Sequence, residues 1–456
     1  MRIRIDPGSR LSGRPTVPGD KSIAHRWLIL AATASGVSRL EGLPVSLDVR
    51  STAACLSNLT GLAGPALEAW RRNGGTVVEA HRSTWNGGGP HEVDMPLEVE
   101  GESRDGLREP PSDLDCGNSA TAMRLLAGVL AAAPFRSVLT GDESLGSRPM
   151  DRVAEPLRLM GAGVSVTDGH APLVIEGGRL HGIEYQTPVP TAQVKSAVLL
   201  AGLAAEGRTL VRESAWTRDH MERALVALGA PVMIEGNAIR VEAFQHQGFR
   251  GSVPGDPSSA AFLVAGAALC GSEITVANVG LNPSRLRFLE VMERMGIRTE
   301  QRVSREEIGE PVGDLWVAPC DGIVPVRVAK EELPLVIDEV AVLALLASHA
   351  PSDSWFLGAG ELRVKESDRL DGIARGIASL GGHAATEGND LVVAGGGLSG
   401  GMASPGGDHR LAMAFAVSAL GASGPCEISE MEVADVSFPG FVQLLGSLGA
   451  RIDVIG

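Results

Sequence analysis

The sequence predicts an α/β protein built from six similar units in two groups of three, each a helix packed on a small mixed sheet. Two recurring markers and their order predict it. One is a polar turn running straight into an Ala/Leu-rich helical stretch. It occurs at Pro18-Gly-Asp-Lys-Ser22, Asp115-Cys-Gly-Asn-Ser119, Pro190-Thr-Ala-Gln-Val194, Val253-Pro-Gly-Asp-Pro257, Pro334-Leu-Val-Ile-Asp338 and Pro405-Gly-Gly-Asp-His409. The other is a glycine where a helical pattern gives way to alternating residues, a C-cap signal. It occurs at Gly161, Gly229, Gly296, Gly381 and Gly449, with Asn73-Gly74 as a weaker first copy. The markers alternate strictly along the chain, as repeats do.

Each element follows from its local pattern. Met1 to Ile5 alternates like a strand and lacks the apolar core of a signal peptide. This first stretch, residues 1–17, precedes unit one and can pair back into the second group. After each glycine the chain reads strand–turn–strand, as in Ala230 to Val241. The polar stretch His246 to Ser252 separates units three and four and is the expected boundary. Aromatic residues are only 4% of the 456, so the cores must rest on Ala, Leu, Val and Ile.

Composition narrows the function. The formal charge is −15 and no basic run occurs, which argues against nucleic acid or an anionic membrane as partner. Five scattered cysteines, none in a CxxC pair, suggest neither a disulfide framework nor a zinc site. The histidines show no metal spacing, so no metal or cofactor is expected. No apolar run reaches the ~18 residues of a membrane span. Together these lead to the expectation of a soluble, reduced, cytoplasmic protein; a monomer acting on small molecules is expected, though composition does not itself give the oligomeric state. Gly19-Asp-Lys-Ser22 lacks the P-loop frame, and Gly395 to Gly400 matches a dinucleotide fingerprint by letter without opening a helix.

Six helix starts pointing one way could converge. Each exposes free N–H groups and about half a positive charge, so together they would form an anion site on an acidic protein. Lys21, Arg26, Lys195 and Arg410 lie at such starts. Cations there oppose the helix dipole unless an anion sits between them. Arg148, and the cluster from Glu361 to Arg369, add guanidinium groups suited to carboxylate or phosphate.

These stretches, with Leu114 to Thr121, Gly141 to Met150, Ile337-Asp-Glu339, Asp408-His-Arg410 and Ser437-Phe-Pro439, resemble the 5-enolpyruvylshikimate-3-phosphate synthase family nearly end to end. The resemblance implies the enolpyruvyl transferase fold, an inside-out α/β barrel of six βαβαββ-type units. Residues 18–246 would form one domain, and 1–17 with 247–456 the other. It implies transfer of the enolpyruvyl group of phosphoenolpyruvate to the 5-hydroxyl of 3-phosphoshikimate, in aromatic amino acid biosynthesis. Asp338 would take the hydroxyl proton, with Glu366 and Lys21 as candidates for proton transfer at the pyruvyl fragment. By the same resemblance, Lys21, Ser22, Arg26, Thr191, Ala192, Gln193, Arg218, Asp338 and Lys365 would bind shikimate phosphate. Lys21, Ala120, Arg148, Gln193, Arg369 and Arg410 would bind phosphoenolpyruvate.

Three positions depart from many members: Ala120 replaces Gly, Ala192 replaces Ser and Val436 replaces Lys. These fit a glyphosate-tolerant branch, the Ala120 methyl narrowing the pocket against that longer inhibitor. Three alternatives stay open. The sibling acting on UDP-N-acetylglucosamine uses a reactive loop cysteine that neither Cys55 nor Cys116 matches well. RNA 3′-phosphate cyclase shares part of the repeat architecture. A non-catalytic binding protein could keep the fold.

Overall fold

The structure is a computed structural model describing residues 1–60 and 96–455. Asn73-Gly74 lies outside the described residues. The six polar turns each lead into a helix: Lys21–Thr33, Ala120–Leu130, Ala192–Gly202, Pro257–Leu269, Val340–Ala347 and His409–Ala419. Four are capped by the side chain the sequence supplies, Asp20, Ser119, Asp256 and Asp408 each accepting a backbone N–H of the first turn. At the other marker, Gly161, Gly229, Gly296, Gly381 and Gly449 all have positive φ just past a helix end, a conformation cheap only for glycine.

Of six small sheets of three or four described strands, five share one pattern, a parallel pair extended by antiparallel partners, and the sixth, Ile274–Gly280 with Glu310–Val317 and Thr299–Glu307, is antiparallel throughout. In one, Leu114–Asp115 runs parallel to Arg136–Thr140, which pairs antiparallel with His170–Glu176 and through it with Gly163–Thr167. Glu184–Gln186 and Arg208–Arg212 start an equivalent sheet, and Arg327–Val328 and Ser354–Phe356 another. In a fourth, Ile3–Ile5 sits between Cys426–Ile428 and Ile452–Val454. The repeat is therefore one of topology as well as of sequence.

Two hydrophobic cores result. The first draws on residues from Ile23 to Val253, the second on Ile3 to Val17 and Ala260 to Leu448. Three helices stand at the centre of each, which is why Val340–Ala347 is buried on every side. Small residues let these helices approach closely. A Cβ on Gly128 would lie 2.3 Å from the Ala197 carbonyl oxygen. This packing explains how a chain so poor in aromatic residues fills its interior.

The stretch 246–252, polar in sequence, is not a free linker. His246 is buried with Nε2 2.7 Å from the Leu30 carbonyl, and Arg250–Ser252 pairs in parallel with Arg39–Glu41. Near the other crossing, Thr16 bridges Ala277. The 246–252 stretch thus bonds chiefly to the first core, through Ser35, Ser38 and Arg39, while the Ser252 N–H reaches the Glu307 carboxylate.

Candidate active site

Five of the six helix starts line one cavity of about 240 Å³ between the two cores. Ser22, Ala120, Thr191, Ala192, Gln193 and Arg410 are brought there by their own helix N-termini, and Asp338 by the turn before Val340–Ala347. The lining carries eight cationic side chains against four carboxylates. Helix dipoles and guanidinium groups therefore point the same positive potential into a confined space on an acidic protein.

Asp338 is the focus of these charges. Arg218 from the first core is ion-paired to Oδ2, and Arg410 Nη2 lies 3.6 Å from the same oxygen. Lys365 Nζ and Arg369 Nη1 lie 3.8 and 4.0 Å from Oδ1. Burial alone would raise this carboxyl. Arg410, Arg218, Lys365 and Arg369 more than reverse that and hold it well below the usual carboxylate range. Glu366 is treated the same way. Burial works upward, and Arg369 (Nη2 to Oε2, 2.5 Å), His409, Arg148 and Lys365 pull it well down. Burial, only partly offset by Asp338 and Glu366, lowers the pKa of Lys365.

Other side chains brace the helix starts. Arg124 Nη1 donates to Gln193 Oε1 at 2.5 Å, and Gln193 Nε2 donates to Thr121 Oγ1 at 2.9 Å. Arg26, 2% exposed, donates to the Ser22 carbonyl, the Ala192 carbonyl and Ser196 Oγ, so most of its guanidinium joins two helix starts. Burial brings its pKa down to about 10. Arg148 Nη2 donates to Asn118 Oδ1 at 2.9 Å. Lys21 Nζ donates to Asp48 Oδ2 at 2.8 Å. Arg124 Nε, Arg148 Nε, Arg369 Nη1 and His409 Nε2 are buried without a hydrogen bond to the protein. These are N–H donors, or for His409 a ring nitrogen, at a site of positive potential, where an oxyanion would satisfy the donors.

Of the residues expected from the sequence, Lys21, Ser22, Arg26, Ala120, Arg148, Thr191, Ala192, Gln193, Arg218, Asp338, Lys365, Glu366 and Arg410 all line the cavity. Arg369 stands just behind it, 1% exposed, held by Asp408 at 2.8 Å. Val436 does not line it. Two expectations fail. The fourth helix start, at Asp256, is not on the cavity. Lys195 is no anion ligand either: it is fully buried, with Glu213 at 2.9 Å and Glu222 at 2.6 Å. It lies on the helix face turned inward, where a cation needs carboxylate partners.

The sequence reading missed Asp48, Arg124 and Arg152, and gave no role to Asn118, Glu361 and His409, which lie in the stretches it named. Arg124 follows Thr121 by three on Ala120–Leu130, so helical spacing carried a signal for it, whereas Arg148 lies outside the helix Asp151–Leu159 that bears Arg152. Asp48 had none, because its helix carries no marker. Cys55 and Cys116 are both buried. The neighbouring Cys55 thiol, and then burial, hold the Cys116 thiol well above its usual value, the opposite of a reactive cysteine. Among the described residues no group of three His, Cys, Asp or Glu side chains is placed to hold a metal, and no helix is long and apolar enough to cross a membrane.

Comparison with known proteins agrees with this geometry. A 3-phosphoshikimate 1-carboxyvinyltransferase of Acidithiobacillus ferrooxidans is 45% identical over 99% of each chain. The solved EPSP synthase of Acinetobacter baumannii is 37% identical and superimposes over 100% of both chains with a TM-score of 0.84. The enolpyruvyl transferase NikO of Streptomyces tendae shares the fold at 18% identity, with a TM-score of 0.73 over 99% of this chain and 98% of that one. The family model of EPSP synthase (3-phosphoshikimate 1-carboxyvinyltransferase) matches residues 5–81 and 89–445, and with that match over nearly all of its length the chain belongs to the EPSP synthase family.

Proposed function

We propose that this enzyme transfers the enolpyruvyl group of phosphoenolpyruvate to the 5-hydroxyl of 3-phosphoshikimate, releasing phosphate, with Asp338 as the base. One observation carries the reading. Five helix starts and eight cations converge on a cavity bordered by both cores, with one carboxylate at the focus of the charge. Both substrates are anions. Residues 18–246 and residues 1–17 with 247–456 are proposed as the two domains that meet there. One chain supplies both sides, which supports a monomer, and five free thiols support a cytoplasmic location.

The chemistry is addition followed by elimination. Addition needs a base at the hydroxyl and an acid at the methylene carbon, and elimination reverses the proton traffic. Asp338 is held ionised, as a base must be, but the same four cations weaken its basicity. A substrate phosphate that draws Arg218 away loosens that hold, so binding itself strengthens the base. Glu366 is also held well below the usual carboxylate range, which makes it a poor proton donor before substrates bind. Lys21 presents an ammonium with protons. This contrast favours Lys21 over Glu366 as the first donor to carbon. Thr191, Ala192, Gln193, Arg218, Lys365, Ser22 and Arg26 are assigned to shikimate phosphate. Arg148, Arg369, Arg410 and Ala120 are assigned to phosphoenolpyruvate.

Ala120 lines the cavity at a helix start and is 5% exposed, so its methyl takes up room there. This supports weak inhibition by glyphosate. Phosphate release on mixing both substrates tests the activity. Release that occurs with phosphoenolpyruvate alone, or not at all, refutes it.

A further inference from the structure

The helix start that misses the cavity has another partner. Asp256 caps Pro257–Leu269 and also receives Arg285 Nη2 at 2.9 Å. Arg285 Nη1 reaches Asp20, the cap of Lys21–Thr33. The two caps belong to different cores, so one guanidinium holds a helix start of each. Arg285 Nη2 also donates to Ser258 Oγ at 2.8 Å, and that hydroxyl donates to Glu339. His220 Nε2 lies 3.3 Å from Nη1. Glu310 Oε1 lies 2.7 Å from His220 Nδ1 and its Oε2 accepts from Asn282 at 2.9 Å. Asp20, Asp256, Ser258, Arg285, Glu310 and Glu339 are all at least nine-tenths buried.

The neighbours along the chain give this cluster its meaning. Asp20 precedes Lys21 and Ser22, and Glu339 follows Asp338. His220 lies two residues beyond Arg218. Three arms of one buried network thus end beside the groups that must meet across the cavity. A charge buried this deeply and bonded on this many sides leaves its partners little freedom. We infer that Arg285 is a positioning residue that sets Asp338 of the second core in register with Lys21, Ser22 and Arg218 of the first. It touches no substrate and acts through Asp20 on one side and through Ser258 and Glu339 on the other.

The inference rests on Asp338 being the base. It predicts a split between turnover and binding, because every group assigned to shikimate phosphate except Lys365 stands on the first core, so binding depends on the register less than proton abstraction does. The test uses the full-length enzyme with Ser258→Ala, which cuts the arm to Glu339 and leaves the ion pairs in place, and with Arg285→Lys, which keeps the charge but cannot reach Asp20, Asp256 and Ser258 together. The expected result for Ser258→Ala is a kcat about tenfold lower, with the Kd for 3-phosphoshikimate within about threefold of the parent. Arg285→Lys should lose more of kcat with the same split.

A Ser258→Ala enzyme with unchanged kcat overturns the inference. So does a loss of kcat and affinity in the same proportion as the fall in unfolding midpoint, which is what a purely structural role gives. Ser258→Ala decides alone if Arg285→Lys fails to fold. Asp338→Asn, run beside it, separates the two ideas: full activity there removes the base, whereas a normal Ser258→Ala enzyme removes only the positioning.

Discussion

Arg218 of the first core and Asp338 of the second are ion-paired across the cavity, and Arg218 Nη1 also donates to Ser22 Oγ at 3.3 Å. One guanidinium therefore couples the group assigned to phosphate binding with the group assigned to proton abstraction. Replacing Asp338 by Asn keeps the shape and removes the base. It should lower kcat by about 10²–10⁴-fold, measured as phosphate release under saturating substrates. A loss under tenfold would exclude Asp338 as the base.

Lys21 and Glu366 can be separated by their proton inventories. Lys21→Met should cost about 10²–10⁴-fold in kcat, and Glu366→Gln clearly less. Exchange of solvent deuterium into the methylene of phosphoenolpyruvate reports the carbon protonation directly. Equal exchange by Lys21→Met and the parent would return the role to Glu366.

Ala120→Gly should restore room at the helix start. The inhibition constant for glyphosate is expected to fall by about tenfold or more, which is about 1.4 kcal/mol, with a smaller change in KM for phosphoenolpyruvate. An unaltered inhibition constant would remove the steric argument.

The buried trio Lys195, Glu213 and Glu222 gives a stability prediction. Lys195→Met leaves two buried carboxylates without a counter-charge and should cost about 3–5 kcal/mol. Burial raises the Glu222 carboxyl above its ordinary 4.5, against the pull of Lys195. A carboxyl raised by folding favours the folded state below its unfolded pKa, and this benefit is lost as pH rises through the folded value. Glu222→Gln should therefore match the parent in thermal midpoint at pH 4 and exceed it at pH 8 by about 2–4 °C. A midpoint lower at pH 8 than at pH 4, relative to the parent, would contradict that sign.

Arg152 and Glu361 also span the two cores, with two contacts of 3.3 Å. Glu361 is 53% exposed. Such a pair contributes about 0.2–1 kcal/mol, so Glu361→Ala should alter either KM by less than about fivefold in steady-state assays. A larger effect would mark this pair as a latch on the cavity.

The helix starts were legible because Pro, Gly, Asp and Ser announce a cap locally, and the glycines at 161, 229, 296, 381 and 449 because only glycine holds positive φ cheaply. Family motifs then located thirteen of the residues that line the cavity. Three features were not legible, since each depends on which way a side chain turns in three dimensions. Lys195 sits one helical step from the cavity and faces inward. Asp256 matches the other caps in sequence, yet its carboxylate is taken by Arg285, a residue with no marker. Asp48 reaches Lys21 only because two helices pack together.

The strand Ile3–Ile5 lies between Cys426–Ile428 and Ile452–Val454, and this has a consequence for synthesis. The ribosome makes that strand long before either flanking strand exists. At about 5–20 residues per second the wait is on the order of tens of seconds. The first core can gather its residues up to Val253 in that time, while Ile3 and Ile5 have no sheet to enter. Arg2, Arg4 and Asp6 alternate with them, and charges at alternate positions discourage pairing with foreign strand edges. The same two-residue period that seats the strand in its sheet also keeps it soluble while it waits.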